Sequence, residues 1–180
     1  MPTIQETINL VKSNIKWFRK WTDDMPTYTH SIRVYEMLKK YWFSEVVQRA
    51  GLLHDIIEDG GFTFDDLRNF WESEEVINLV DLSSHDLAIE DSFDRWKNML
   101  ERLMKEENKD ARAIKLADIS DNLSECHLMP NKRKLERFLM KKCPVFVYYG
   151  NKYFAWTEFY NEFLERYYKQ IKEFNQYFIK

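Results

Sequence analysis

Glycine and proline are scarce: the 180 residues hold four of each. That is too few for a turn-dense sandwich or barrel, so an all-helical fold is favoured. Cysteine is scarcer still. Cys126 and Cys143 make neither a disulfide framework nor a zinc-finger spacing. No apolar run approaches the roughly 20 residues of a membrane span, and no signal-peptide pattern opens the chain. Positive charge is not in excess either: 27 Lys and Arg stand against 30 Asp and Glu, a formal net charge of −3. A general surface for duplex DNA or RNA is therefore not expected, and any polyanionic ligand needs local positive charge or a metal. These absences point to a cytoplasmic protein in a reducing compartment, with no membrane partner. Aromatics, by contrast, reach 16% and many lie in the last third, while hydrophobic residues make up 44%. One compact domain spanning residues 1–180 is the simplest expectation.

The apolar spacing sets out the helices. Ile4, Ile8, Val11, Ile15 and Phe18 recur at three and four, predicting a helix over about 3–20 that ends before Pro26. A second starts near Thr27 or Thr29 and carries His30, Val34, Met37 and Leu38. A third is expected over about 44–58, capped by Ser44 and stopped by Gly60-Gly61. Thr63 to Asp66 reads as a capping box for a short helix through Phe70, and about 74–82 as another. Asp91 or Ser92 caps the next, and Asp110 starts one running through Leu123. Pro130 and Pro144 flank a basic helix over about 132–142. The chain closes on a long helix whose stripe is Trp156, Phe159, Tyr160, Phe163, Tyr167, Ile171, Phe174 and Phe178. Such a stripe reports burial in the core, or a face that could serve a homodimer, before it reports a ligand. The segment 83–90 is the candidate mobile loop.

Against this regular background the stretch Gly51-Leu52-Leu53-His54-Asp55-Ile56-Ile57-Glu58-Asp59-Gly60 stands out. An apolar run enters it, yet it carries an imidazole and three carboxylates. Buried charge is costly unless paired or bound to a metal, so this is either an exposed helix end or a metal-assisted hydrolytic site. His30 leads an otherwise apolar face. Asp118 follows Ala113, Ile114, Leu116 and Ala117, with Asn122 one turn on. Singly, His30 reads as a hydrogen-bonded core histidine and Asp118 as a surface charge. Together, His30, His54, Asp55 and Asp118 supply two imidazoles and two carboxylates from three helices, a mixed shell suited to Mn²⁺, Fe²⁺ or Zn²⁺. If the third helix persists to Asp59, Glu58 and Asp59 lie one turn beyond His54 and Asp55, where a carboxylate could position water or shuttle protons.

His30, His54-Asp55 and Asp118 together resemble the H…HD…D signature of the HD-domain metal-dependent phosphohydrolases. Leu52-Leu53-His54-Asp55-Ile56-Ile57-Glu58-Asp59 looks like the LLHDxxED motif of the RelA/SpoT hydrolase branch, and Lys115-Leu116-Ala117-Asp118 with Asn122 like its KLADxxxN motif. Pro26 to His30 is similar to its PYxxH segment with one residue inserted, and Arg19-Lys20 to an upstream Arg-Lys pair. The likeness covers about residues 16–123, followed by C-terminal helices over 130–180. In length the chain is similar to the small alarmone hydrolases and metazoan SpoT homologues, which lack a synthetase domain.

The resemblance implies an all-α HD-type bundle with a metal, Mn²⁺ foremost, held by His30, His54, Asp55 and Asp118. Glu58 and Asp59 would be the catalytic acidic pair, and Asn122, Arg19 and Lys20 would bind a small nucleotide substrate. The implied reaction removes the 3′-pyrophosphate of (p)ppGpp, giving GDP or GTP and pyrophosphate. An HD nucleotidase or dNTP triphosphohydrolase is the enzymatic alternative, and a non-catalytic HD nucleotide-binding protein the other. The chain departs from the family pattern at Ser31, Ile119 and Asp121, and the last two are expected to alter the nucleotide pocket. Lys141, Lys142, Lys152 and Tyr153 are read as surface residues.

Overall fold

The computed structural model describes residues 2–19 and 25–176. Among the described residues eleven α-helices carry the fold, and extended pairing is confined to one isolated bridge, Phe18 with Pro26. The chain is all-α, as its few turn residues imply. Among the described residues no helix is long and apolar enough to cross a membrane.

The first helix, α1, covers Ile4–Asn14, and its capping box between Thr3 and Glu6 is complete. It ends well before residue 20. The Arg19 N–H donates to the Met25 carbonyl (3.0 Å) and the Thr27 N–H to that of Trp17 (2.7 Å). Those backbone bonds replace helical ones and turn Arg19 into the interior, where it is buried. Helix α2 follows over Tyr28–Lys40.

The third expected helix is broken in two. Helix α3 spans Glu45–Leu53 and α4 spans Ile56–Asp59, with His54 and Asp55 in the turn between them. Gly51 permits the close approach of α3 to α2: a Cβ there would lie 2.3 Å from Leu38 Cδ1. Short helices α5 (Phe64–Asn69) and α6 (Glu74–Ser83) lead to α7 (Ser92–Lys105), which Asp91 caps through the N–H groups of Phe93 and Asp94.

Helix α8, Lys109–Glu125, is the axis of the molecule. It touches α2, α3, α6, α10 and α11, and every residue from Ala111 to Asp121 is buried. A surface helix shows one apolar stripe; one buried all round can carry polar residues only where partners or ligands satisfy them.

The expected basic helix over 132–142 also divides. Helix α9 is Lys132–Arg137, a π-helical turn covers Phe138–Lys142, and α10 (Cys143–Phe154) continues directly. Pro144 lies in the first turn of α10, directly after the π-helical turn, and does not interrupt the chain. The last helix, α11, is Glu158–Gln176, and its Phe159, Tyr160, Phe163, Tyr167 and Phe174 are buried within the chain itself. Trp156 leaves the stripe. It precedes α11 with φ 68° and is 97% exposed. Phe178 lies outside the described residues.

Candidate metal centre

Three parts of the chain converge at the buried end of α3. His30 comes from the first turn of α2, His54 and Asp55 from the α3–α4 turn, and Asp118 from the middle of α8. Donor atoms of His30, His54 and Asp55 all lie within 4.8 Å of one another. The two imidazole rings are 5.1 Å apart, edge to face. Asp118 Oδ1 sits 3.1 Å from His30 Nε2 and 3.8 Å from His54 Nε2. The residues that spacing alone could not bring together are thus adjacent.

Local chemistry aims each ring. His54 Nδ1 lies 2.7 Å from the Gly51 carbonyl oxygen and must donate to it, since a carbonyl only accepts. This bond competes for the acceptor that the Asp55 N–H would use in an unbroken α-helix, at the point where the helix breaks. Nε2 then carries the free lone pair. It is buried, 3.2 Å from Asp55 Oδ1, and makes no hydrogen bond. An unpartnered imidazole nitrogen beside carboxylates, with a second imidazole 5.1 Å away, is a donor set that fits a divalent cation.

His30 is aimed by Asp121. Its Nδ1 lies 2.6 Å from Asp121 Oδ2, leaving Nε2 toward the other donors. A carboxylate behind a ligating histidine fixes the ring and raises its basicity. Asp121 also accepts from Arg33 Nε (2.8 Å) and Nη2 (3.0 Å), with Arg19 Nη1 3.5 Å away. Glu125 completes the network, 3.0 Å from Arg19 Nη1 and 2.6 Å from Arg33 Nη2. Although burial works against its charge, His30 and Arg33 hold the Asp121 carboxyl at about 2. The side chain at this departure from the family pattern supports the His30 ring.

Arg19 lies in the same network, and its Nη2 donates to Asn122 Oδ1 (2.6 Å). Asn122 in turn donates to Asp118 Oδ1 (2.6 Å). Lys20 lies outside the described residues. Glu58 is half-buried, with both carboxylate oxygens engaged by His85, while Asp59 is exposed.

Two further cations stand close. Lys115 is buried and pairs with Asp118 Oδ2 at 2.6 Å. Lys142 is not the surface charge expected of it. Burial first, then the positive charges of Lys115, Lys134 and Arg137, push its ammonium down to about 8, against the attraction of Asp118. It sits 5.3 Å from the Trp96 ring, and no ion-pair partner meets it among the described residues. A signal for Asp121 was present in the sequence: Asp118, Asp121 and Glu125 recur at three and four along an otherwise buried helix. None existed for Lys142, which the π-helical turn brings in from far along the chain.

Burial lowers the proton affinity of His30, but bonds to Asp118 and Asp121 and the charge of Asp55 outweigh it and raise the group to about 9. Below that pH a metal must displace a proton from Nε2. Metal affinity is therefore expected to fall about tenfold per pH unit between pH 8.5 and 7, with proton release on binding. Calorimetry in buffers of different ionisation heat measures this; affinity independent of pH contradicts it. In the metal-free protein the same shift contributes stability fully below pH 6.5 and loses it as pH rises through about 9.

The sequence model of the HD domain matches residues 27–123, more than half of the chain. A search of curated proteins finds no match. Among solved structures, a metazoan orthologue of SpoT, described as hydrolysing ppGpp and acting in starvation responses, superposes with a TM-score of 0.78 at 22% identity. That match covers 94% of this chain and 97% of the other. A Listeria monocytogenes protein superposes with a TM-score of 0.62 at 22% identity, covering 81% and 97%. At such identity these likenesses establish the fold alone.

Proposed function

This chain belongs to the HD-domain family of metal-dependent phosphohydrolases, and we propose that within it the protein is a 3′-pyrophosphohydrolase of (p)ppGpp-type nucleotides. The observation that carries this reading is a half-buried positive charge with no ion-pair partner among the described residues, Lys142, within the electrostatic reach of Lys115 and Asp118, while Lys115 in turn feels the charge of the half-buried Glu58. A site that keeps an uncompensated, desolvated ammonium suits a substrate with several phosphates better than a monophosphate. The likeness in fold to a ppGpp hydrolase and the Glu58-Asp59 pair after His54-Asp55 support the same substrate class.

His30, His54, Asp55 and Asp118 would hold the ion, Mn²⁺ by preference. When bound, it supplies Lewis-acid chemistry, favouring hydroxide over water and drawing charge from a phosphoryl oxygen. Glu58 takes the proton of the attacking water, for which each carboxylate oxygen keeps a second lone pair beyond its bond to His85. Water oxygen bonds to phosphorus, the bond from phosphorus to the ribose 3′ oxygen breaks, and that oxygen leaves as the 3′ hydroxyl with the proton that Glu58 took from the water. Lys142 and Lys115 balance the phosphate charge, and Asn122, positioned by Arg19, orients the nucleotide. Asp59 lies on the solvent side of this arrangement.

A product assay decides the reading. With Mn²⁺ present, ppGpp or ppApp should yield pyrophosphate, while GTP, dATP and nucleoside monophosphates stay intact. Orthophosphate from monophosphates, or triphosphate from dATP, would place the chain with the HD nucleotidases or dNTP triphosphohydrolases. Binding without turnover of any of them would make it a non-catalytic member.

A further inference from the structure

The turn after α6 holds a group that the reaction above does not use. We propose that His85 is a positioning residue for Glu58, fixing the plane of the Glu58 carboxylate against the metal centre. The inference rests on the reading of Glu58 as the proton acceptor.

His85 reaches Glu58 twice. Its backbone N–H donates to Oε1 at 2.8 Å, and its Nδ1 lies 2.7 Å from Oε2. The terminal torsion of a glutamate is broad and close to two-fold, so one bond would leave the carboxylate free to swing. Two bonds to different oxygens define its plane and still leave a lone pair on each. An ionised carboxylate only accepts, so Nδ1 must carry the proton. The other ring nitrogen, Nε2, is buried without a hydrogen bond. An unsatisfied buried nitrogen is tolerated where the ring is held for another purpose.

The same turn is tied to the centre from a second side. Ser84 Oγ donates to the His54 carbonyl (3.1 Å), and Arg102 donates to the Ser84 carbonyl (2.5 Å) and to Asp81 Oδ1 (3.0 Å). Adjacent residues therefore touch the backbone of a candidate ligand and the side chain of the candidate base. The clamp sets Glu58 in register with His54 rather than merely anchoring a loop.

The tests are kinetics and imidazole NMR on the full chain. His85→Ala is expected to lower kcat on ppGpp about a hundredfold, the scale for a reacting group misplaced by about 1 Å, with KM and bound Mn²⁺ unchanged. His85→Asn, whose side-chain amide can donate from near the Nδ1 position, should restore most of that loss. A purely structural tie would instead lower metal content or thermal stability in step with activity. Undiminished kcat in His85→Ala, or an Asn variant no better than Ala, would overturn the proposal. Long-range ¹⁵N–¹H spectra provide a readout independent of turnover: Nδ1 of His85 should be protonated in the wild type and lose that preference in Glu58→Ala. An Nε2–H tautomer in the wild type would sink the clamp even if the enzyme hydrolysed ppGpp. A wild type that hydrolysed none of the nucleotides would sink the reading of function, and the spectra would still decide whether His85 holds Glu58.

Discussion

Glu58→Gln is expected to reduce turnover by about 10²–10⁴-fold, the range for removing a positioned general base, while bound metal stays at the wild-type level. Glutamine matches glutamate in size and keeps an oxygen for the His85 N–H, so the turn after α6 stays in place. It lacks the capacity to take a proton, and its amide nitrogen can meet His85 Nδ1 only if that ring moves its own proton to Nε2. Asp55→Asn should behave in the opposite order, losing metal first and activity as a consequence. Metal analysis of the purified variants beside kcat separates the two. A Glu58→Gln protein that came out metal-free would move Glu58 into the ligand shell and remove it as the base.

Asp121→Ala should harm both the fold and the metal site, though Asp121 is no donor to the ion. Its carboxylate stands among His30, Arg33 and Arg19, and truncation leaves those charges facing one another. Breaking a buried ion pair costs about 3–5 kcal/mol. The lower end, about 3 kcal/mol, is expected here because Glu125 still pairs with both arginines. Metal affinity should fall about 10–100-fold, as for other partners lying behind a ligating histidine. Asp121→Asn keeps an acceptor for His30 Nδ1 and should lie between Ala and wild type in both measurements. Urea unfolding of the metal-free protein gives the first number and a metal titration the second. An unfolding midpoint unchanged in Asp121→Ala would show that the network contributes nothing to stability.

Much of the site was visible in the chain because its residues contradict their surroundings. His30 and Asp118 interrupt apolar faces, and His54-Asp55 ends an apolar run, so periodicity itself marks them. Their convergence was not visible: α2, α3 and α8 meet only through packing, with Gly51 admitting α3 against α2. The break at His54 was hidden for a related reason. Helical spacing continues through Asp59, whereas the Nδ1 bond to Gly51 is a competition within one turn that no pattern of apolar residues records.

By itself the sequence determined the class of fold, the capped helices and the candidate residues for a divalent ion, since periodicity, capping and residue chemistry are local properties. Tertiary structure alone decided that Asp121 stands behind His30, that Arg19 backs Asn122, that Lys142 comes half-buried within reach of Lys115, and that Glu58 is held by His85. Those are pairings across distant stretches of chain. Which charge meets which depends on how the helices pack, and the cost of burying each without a partner makes the pairing specific.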